Sequence, residues 1–461
     1  MADSNPWDQT IHVLLVSYPT QGHINPLLQF GKRLAGHRGV RCTLAVTRYV
    51  LGSREPPQPG NVHVVGFSDG CDNSGYDEVG DERDYLARLE SAGSASLADL
   101  LRDESARGRP VRAVVYDALL LWVPRVARQQ GVQCAAFFTQ ACAVNVAYAH
   151  AWAGKLRIPV ADALPDELPG LPVGLVSLDL PTDLTERAWH PVYRDLMLKQ
   201  CRGLEMADHV LVNSFHELQA EEAEYMASRW GAKTVGPTVP SAYLDNRITD
   251  DKSYGFHLHT PMTVETMAWL DQRPARSVVY VSFGSLVMLS ADQMAEVAEG
   301  LYDSGKAFLW VVRASETSKV PQGFADKACG RVLIVTWCPQ LDVLAHPAIG
   351  CFVTHCGWNS TMEGLTAGVP IVAMPQWGDQ PMNAKYIEDI WRVGLRVQPD
   401  RQGMVWRQEI ERCVKKVMMK GEGDMTKPFM ENSRRWSNKA REAMTEGGSS
   451  YNNIVEFLVK L

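Results

Sequence analysis

Two sets of residues in this 461-residue chain have the types and spacing for chemistry. The denser set lies in 337–380, WCPQLDVLAHPAIGCFVTHCGWNSTMEGLTAGVPIVAMPQWGDQ. Three short apolar runs, 332–336, 351–354 and 369–374, each end at polar, aromatic or glycine-rich residues. Helix-like or turn-rich segments separate them, so the passage reads strand, helix, strand, helix, strand. With right-handed crossovers the three strands run the same way, and their ends emerge at one carboxyl edge, where open α/β sheets bind ligands. That edge then carries an aromatic face (Trp337), an imidazole before a helix start (His355, then Asn359, Ser360 and Thr361) and a carboxylate with an amide (Asp379, Gln380). The combination suits a nucleotide sugar. Gly357 lets backbone approach a ligand, and the free N–H groups and dipole of the following helix start attract phosphate. Glu363, one turn beyond Asn359, shares its helical face near the ribose side of a bound diphosphate. Any one of these residues reads equally well as a helix cap or an exposed side chain. Ordered along three strand ends, they read as a binding site.

The second set is His23 and Asp117. An imidazole takes a proton from a hydroxyl near neutral pH. A carboxylate on its other ring nitrogen fixes the tautomer and stabilises the imidazolium. His23 follows the first expected strand beside a helix start, and Asp117 ends the strand 111–116. On residues alone, His23 also reads as a structural histidine and Asp117 as a strand-end turn residue. Gly284-Ser285, closing the strand 277–283, reads as a turn or as a further phosphate contact.

The elements that must position these residues alternate between strand and helix. The first strand is expected over 12–18. A helix follows, capped by Asn25, with Pro26 in its first position and Leu27, Phe30, Gly31 and Leu34 at helical spacing. Further strands are expected at 41–47 and 111–116. The acidic stretch 69–84 reads as a solvated loop, and the Pro- and Asp-rich loop 164–183 as the cover of a pocket. A boundary falls at 235–240, and the polar stretch after it, without period, reads as a linker. Beyond 277–283, Ser290 and Gln293 form a capping box ahead of Met294, Val297, Ala298 and Leu301 on one helical face. Ile454, Phe457, Leu458 and Leu461 form a final apolar stripe. The expected division is 1–237, a linker 238–260, a second α/β domain 261–440 and a closing helix 441–461.

The length favours two or more domains, each with its own core, and a hydrophobic content of 46% argues against disorder. A net charge of −7 without a long basic run argues against nucleic acid as a partner. The start lacks a basic region followed by an apolar one, and no apolar run is long enough to insert stably in a membrane. The ten cysteines lie among apolar neighbours without metal-ligand spacing, which suits reduced core thiols and a cytoplasmic location. No D-x-D triplet is present to hold a metal–diphosphate pair; the adjacent Asp250-Asp251 reads as solvating the linker. No G-x-G-x-x-G turn follows Val16, which argues against a dinucleotide-dependent oxidoreductase. A two-domain ligand-binding protein without chemistry leaves His23 and Asp117 together unexplained.

Residues 337–380 resemble the 44-residue signature of the plant family 1 UDP-glycosyltransferases, the secondary-product glycosyltransferases. The signature stands here as Trp337-Cys338-Pro339-Gln340, His355-Cys356-Gly357-Trp358-Asn359-Ser360, Glu363 and Asp379-Gln380, and the likeness extends through YPTQGHINP, VYVSFGS and GGSS. The resemblance implies two doubly wound Rossmann-like domains facing a cleft (the GT-B fold), with the last helix returning to the first domain. It implies His23 as catalytic base with Asp117 as its partner, and Ser285, His355, Gly357, Asn359 and Ser360 around the donor phosphates. Trp337 would stack on uracil with Cys338 beside it in the motif, Gln340 and Glu363 would bind ribose, Trp358 would shape the sugar pocket, and Asp379 and Gln380 would bind sugar hydroxyls. Gln380, and the absence of Arg at Trp358, point to UDP-glucose as co-substrate, with no cofactor and no metal. The expected reaction is inverting transfer of glucose to a hydroxyl, carboxylate or thiol of a small lipophilic acceptor by a monomeric enzyme. Another UDP-sugar donor, or a non-catalytic ligand-binding role, is the alternative. Two positions depart from the family pattern: Leu121 precedes Trp122 where relatives carry Pro, and Gly378 stands where they carry Thr or Ser. Tyr18, Trp122, Phe138 and Thr139, at or just after strand ends, are the candidate acceptor wall.

Overall fold

In the computed structural model, the described residues are 10–53, 60–161, 164–165, 167–185, 191–249, 251–256, 260–418 and 426–461. Runs of Val, Leu, Ile and Ala, buried on both faces, form two parallel sheets, as expected where helices cover each side. The chain divides into two compact units: Met1–Ser177 with Thr182–His257 and Glu442–Leu461, and Leu178–Pro181 with Leu258–Arg441.

The first unit holds β1 (Ile11–Val16), β2 (Val40–Thr47), β3 (Val62–Phe67), β4 (Ala113–Asp117), β5 (Gln133–Phe138), β6 (His209–Val212) and β7 (Lys233–Thr234). Their order is β3-β2-β1-β4-β5-β6-β7, all parallel. The chain winds outward from β1 in one direction and resumes on its other side with β4. The strand order therefore reverses between β1 and β4, whose ends lie level, with Val16 opposite Tyr116. A crevice opens at such a reversal, at the carboxyl ends of the strands.

Helix α1 (Gln21–Ala35) begins a full turn earlier than Asn25 suggests. Its first turn closes on the carbonyl of Thr20, which accepts from the N–H groups of His23 at 3.0 Å and Ile24 at 2.9 Å. Pro26 therefore sits inside the helix and costs one ladder bond. Asn25 caps nothing. Its buried amide accepts from the N–H of Phe256 at 2.9 Å and donates to the carbonyl of the same residue at 3.3 Å. Three more side chains of α1 hold the stretch read as a linker. Gln29 donates to the Ser253 and Tyr254 carbonyls at 2.8 and 2.7 Å, Lys32 to Asp251 at 2.6 Å, and Arg33 to Asp245 at 2.7 Å. Asp251 is thus in a buried ion pair rather than solvated, while Asp250 lies outside the described residues. Asp69 likewise departs from the solvated reading: it is buried and accepts from the Tyr85 hydroxyl at 2.9 Å. In the loop 164–183, Leu168, Leu171 and Leu175 are buried, and Asp166 lies outside the described residues. The closing helix, Ser449–Lys460, buries Ile454, Phe457 and Leu458 in the first unit and donates from Asn453 to the Thr234 carbonyl at 2.9 Å.

The second unit holds β8 (Val278–Ser282), β9 (Ala307–Val311), β10 (Val332–Val335), β11 (Ile349–Thr354), β12 (Ile371–Ala373) and β13 (Gly394–Arg396), in the order β10-β9-β8-β11-β12-β13 and all parallel. Alternate residues of β8 enter opposite cores: Val279 and Val281 join Trp310 and Val353, while Val278 and Tyr280 join Leu309 and Phe352. The strand order reverses between β8 and β11, with Ser282 level with Thr354. Ser290 caps the helix Ala291–Asp303, accepting from Gln293 N–H at 3.1 Å. Only half of the expected capping box forms, because the Gln293 amide binds both the N–H and the carbonyl of Val405. Met294, Val297, Ala298 and Leu301 are buried as the spacing predicts. All ten cysteines are unpaired; nine are buried and Cys329 is exposed.

Candidate active site

His23 and Asp117 occupy the two sides of the first strand-order reversal. Asp117 is the last residue of β4, and His23 stands in the first turn of α1. The His23 Nδ1 lies 2.6 Å from Asp117 Oδ2, with the imidazole 22% exposed and the carboxylate 1%. The second carboxylate oxygen accepts from the N–H of Leu119 at 3.0 Å. A carboxylate only accepts, so Nδ1 carries the proton and Nε2 presents a lone pair. Thr139 Oγ1 stands 3.3 Å from the same Nδ1.

The expected acceptor wall divides. Tyr18 lies beside the imidazole, ring centroids 5.4 Å apart, and its hydroxyl is 3.4 Å from that of Tyr193, a neighbour the sequence reading missed. Thr139 touches His23. Phe138 is buried at the end of β5, and Trp122 packs over Gly93 of helix α2 (Glu82–Ala106), where a Cβ would stand 2.8 Å from the ring. All four side chains are buried, Tyr18 and Thr139 beside His23, Trp122 against Gly93 and Phe138 at the strand end.

In the second unit His355, Ser360, Glu363 and Gln340 assemble at the second reversal, with the turn after β8. The His355 ring lies between two glycines: a Cβ on Gly284 would come within 2.6 Å of Cε1, and one on Gly357 within 2.6 Å of Nε2. Gly357 is therefore required by a side chain of the protein, whatever ligand approaches. Burial pushes the His355 pKa down to about 4, so the ring is neutral at physiological pH. A hydrogen bond to Ser282 backbone works against that shift, and the charge of Arg313 adds to it. Cys356 turns the chain with φ of +68°, a left-handed conformation that costs a non-glycine residue roughly 1–2 kcal/mol. Asn383 helps hold that turn, donating to the Cys356 carbonyl at 2.9 Å and to Asp379 at 2.8 Å. The turn aims the start of helix Trp358–Ala367, with Gly357 as its N-cap.

Gln340 has partners at both ends of its amide. It donates to Glu363 at 2.7 Å and to Ser360 Oγ at 3.1 Å, and it accepts from the Tyr280 hydroxyl at 2.9 Å. It orients Glu363 and Ser360. Cys338 Sγ, 3.3 Å from the Tyr280 hydroxyl, is buried and its pKa is raised to about 12, which makes it an inert packing residue. Trp337, half-buried after β10, fixes the chain through its carbonyl, which accepts from Met262 at 3.0 Å. Trp358 is buried, its ring 6.2 Å from that of Trp391. Gln380 Oε1 accepts from the N–H groups of Gln376 at 2.9 Å and Trp377 at 3.1 Å, so its oxygen serves the turn. Gly378 has φ of +65°, which gives a backbone reason for glycine at that position. Ser285, after β8, is gripped through its carbonyl by Arg313. Tyr280, Arg313 and Asn383 were missed by the sequence reading; only Arg313, just beyond the carboxyl end of β9, stood where position alone marked it. Among the described residues no three His, Cys, Asp or Glu side chains group as metal ligands, and no helix is long and apolar enough to cross a membrane.

Two doubly wound parallel sheets, one with a His–Asp pair and one with a glycine-flanked imidazole at a helix start, define a two-unit α/β protein with a candidate site at each strand-order reversal. The comparisons narrow the class. Residues 238–426 match the family described as "UDP-glucoronosyl and UDP-glucosyl transferase". The UDP-glucosyltransferase UGT13248 of Hordeum vulgare subsp. vulgare is 47% identical, over 97% of this chain and 94% of its own. Crocetin glucosyltransferase 2 of Crocus sativus is 46% identical, over 97% and 96%. Os79 from Oryza sativa, crystallised with UDP, matches with a TM-score of 0.91 at 46% identity, covering 97% of this chain and 99% of that one. Another structure of Os79 contains U2F and a trichothecene, with a TM-score of 0.88, 45% identity and coverage of 97% and 99%. The chain belongs to the plant UDP-glycosyltransferases of GT-B fold, enzymes that transfer a sugar from a UDP-sugar to a small-molecule acceptor.

Proposed function

We propose that this enzyme transfers glucose from UDP-glucose to a hydroxyl, carboxylate or thiol of a small lipophilic plant metabolite or xenobiotic, with inversion and without a metal. The observation that carries the reading is the 2.6 Å contact between His23 and Asp117, which leaves Nε2 as the base. With a hydroxyl or un-ionised thiol, Nε2 takes the acceptor proton as the acceptor atom bonds to C1 of glucose, the C1–O bond to UDP breaks, and UDP leaves with the electron pair; a carboxylate makes the same displacement with no proton to give. Asp117 stabilises the resulting imidazolium. One displacement from an α-linked donor gives a β-glucoside.

The negative charge growing on the leaving diphosphate is met by the N–H groups at the start of helix Trp358–Ala367 and by donors around His355, Ser360 and Ser285. These groups do what a divalent cation does elsewhere, which supports a metal-free mechanism. Glu363, held by Gln340, takes the ribose hydroxyls, Trp337 the uracil, and Asp379 with the Gln380 amide nitrogen the glucose hydroxyls. The barley and crocus relatives are named as glucosyltransferases, and Os79 has been crystallised with a trichothecene; both support glucose as donor sugar and a lipophilic acceptor.

The test is to incubate the enzyme with UDP-glucose and a panel of phenols, carboxylic acids and thiols, reading free UDP, product mass and anomeric configuration. A β-glucoside formed in the presence of EDTA is expected. An α-glucoside, or activity lost to EDTA and restored by magnesium or manganese, refutes the mechanism. A higher kcat/KM with UDP-galactose, UDP-xylose or UDP-glucuronate refutes the donor. UDP and acceptor binding with no turnover across the panel refutes the catalytic reading in favour of a binding protein.

A further inference from the structure

Among the described residues the segment leaving β8 pairs with no strand, yet its residues alternate between buried and exposed. Val287 and Leu289 are buried, while Leu286 and Met288 are 60% and 65% exposed. The carbonyls of Ser285, Val287 and Leu289 all accept from cationic side chains. Arg313, just past the end of β9, donates one guanidinium nitrogen to Ser285 O and another to Val287 O. Lys319 donates to Leu289 O at 2.9 Å and pairs with Glu316 at 2.7 Å. Two side chains thus stand in for the missing ladder. The grip of Arg313 falls on the turn whose other side, Gly284, lies against the His355 ring.

We propose that Arg313 is a positioning residue of the donor site, holding the Gly284-Ser285 turn against His355 so that the diphosphate of UDP-glucose meets a preformed turn. This rests on the reading of that turn as a phosphate contact. Arg313 acts through the turn, because two of its guanidinium nitrogens are committed to carbonyls. A guanidinium suits the task better than an ammonium, since its planar fork reaches two fixed acceptors at once. The bonds are charge-assisted and half-buried, where such bonds are strongest. Releasing the turn makes UDP order it on binding, a cost that appears as lost donor affinity.

The experiment is calorimetric titration of UDP into the wild type, Arg313→Ala, Arg313→Lys, Lys319→Ala and Glu363→Ala, with KM measured for both substrates. Arg313→Ala should weaken UDP by about tenfold or more, consistent with losing charge-assisted bonds. Donor KM should rise in step, with acceptor KM within about twofold of wild type, the range of an unaffected site. Arg313→Lys, which keeps the charge and one bond, should recover part of the loss. Lys319→Ala frees only the far end of the segment and should bind UDP as the wild type does. Wild-type UDP affinity in Arg313→Ala overturns the proposal, as does an equal loss in Lys319→Ala, which would mark general loosening. Should Arg313→Ala fail to fold, Arg313→Gln carries the same expectation. Glu363→Ala separates the two readings: full UDP affinity there defeats the donor-site assignment itself, whereas a loss there with a normal Arg313→Ala defeats only the role of Arg313.

Discussion

His23 has one ring nitrogen committed to Asp117, and the first prediction follows from the proposal that the other is the base. His23→Ala should lose about 10²–10⁴-fold in turnover of alcohol acceptors, the usual share of a general base, while UDP affinity holds. Thiol acceptors, already partly ionised, should lose less. Near-normal turnover in a folded variant would remove His23 from the mechanism. Gln380 gives a second, narrower prediction. Gln380→Glu keeps an oxygen for the Gln376 and Trp377 N–H groups but deletes the amide donor. The turn and the melting temperature should survive, while kcat/KM for UDP-glucose drops about tenfold, near the value of one hydrogen bond. A collapse in melting temperature with unchanged kcat/KM would show that the nitrogen faces no sugar. The strand-end positions of both residues were legible in the sequence, while the roles proposed for them came from the family resemblance; on residue type alone His23 also reads as a structural histidine. Which atom of each is already used was not legible. That depends on the turn 376–378 and on the level ends of β1 and β4, which no local spacing encodes. The contact of Trp122 with Gly93, 29 residues earlier in the chain, was likewise beyond the reach of local spacing.

At the scale of elements, both sites follow from strand order. The sequence predicts strands, and parallel crossovers bring their carboxyl ends to one edge; only the observed orders place the reversals at β1/β4 and β8/β11. Helix boundaries were less legible. Asn25-Pro26 carries the signs of a helix start, yet tertiary bonds to Phe256 claim the amide and the helix begins at Gln21. Gln293 is diverted in the same way, to Val405. The two glycines around His355 make the elements testable. Gly357 has φ of −57°, so alanine there is free of backbone strain and acts only by pushing the imidazole from 2.6 Å. Gly284 has φ of +70°, so alanine there adds backbone strain of roughly 1–2 kcal/mol to the same clash. Both variants should weaken UDP binding, and Gly284→Ala should also lower the melting temperature more than Gly357→Ala. Titration calorimetry and thermal unfolding read the two effects separately. Undiminished UDP affinity in Gly357→Ala would mean that the imidazole can move without consequence.

The whole molecule carries a formal charge of −7, but its response to acid depends more on buried histidines than on net charge. Burial lowers the pKa of His12, His37, His150 and His209, and brings that of His355 to about 4, against an ordinary value of 6.5. Above the ordinary value both folded and unfolded chains hold these rings neutral, and folding is not penalised. As pH falls through that value, the unfolded chain takes up protons that the folded chain refuses. The unfolded state then binds more protons, and stability falls with pH. Glu456, held down to about 2 by Lys460 and Lys233, extends the loss to lower pH, since its stabilisation disappears as pH falls from its ordinary range towards 2. Glu388, raised by burial, works in the opposite sense and is one group against five histidines. The melting temperature should therefore fall steadily from pH 7 to pH 5, before most carboxylates titrate. UDP affinity of the still-folded protein should remain level over the same interval with respect to His355, because that ring stays neutral until pH approaches about 4. Thermal unfolding at half-unit steps, with UDP titrations at temperatures well below each midpoint, checks both parts. A melting temperature that is flat or rising on acidification would show that these rings are protonated in the folded state. That result would also return His355 to the donor site as a cation rather than a neutral hydrogen-bonding group.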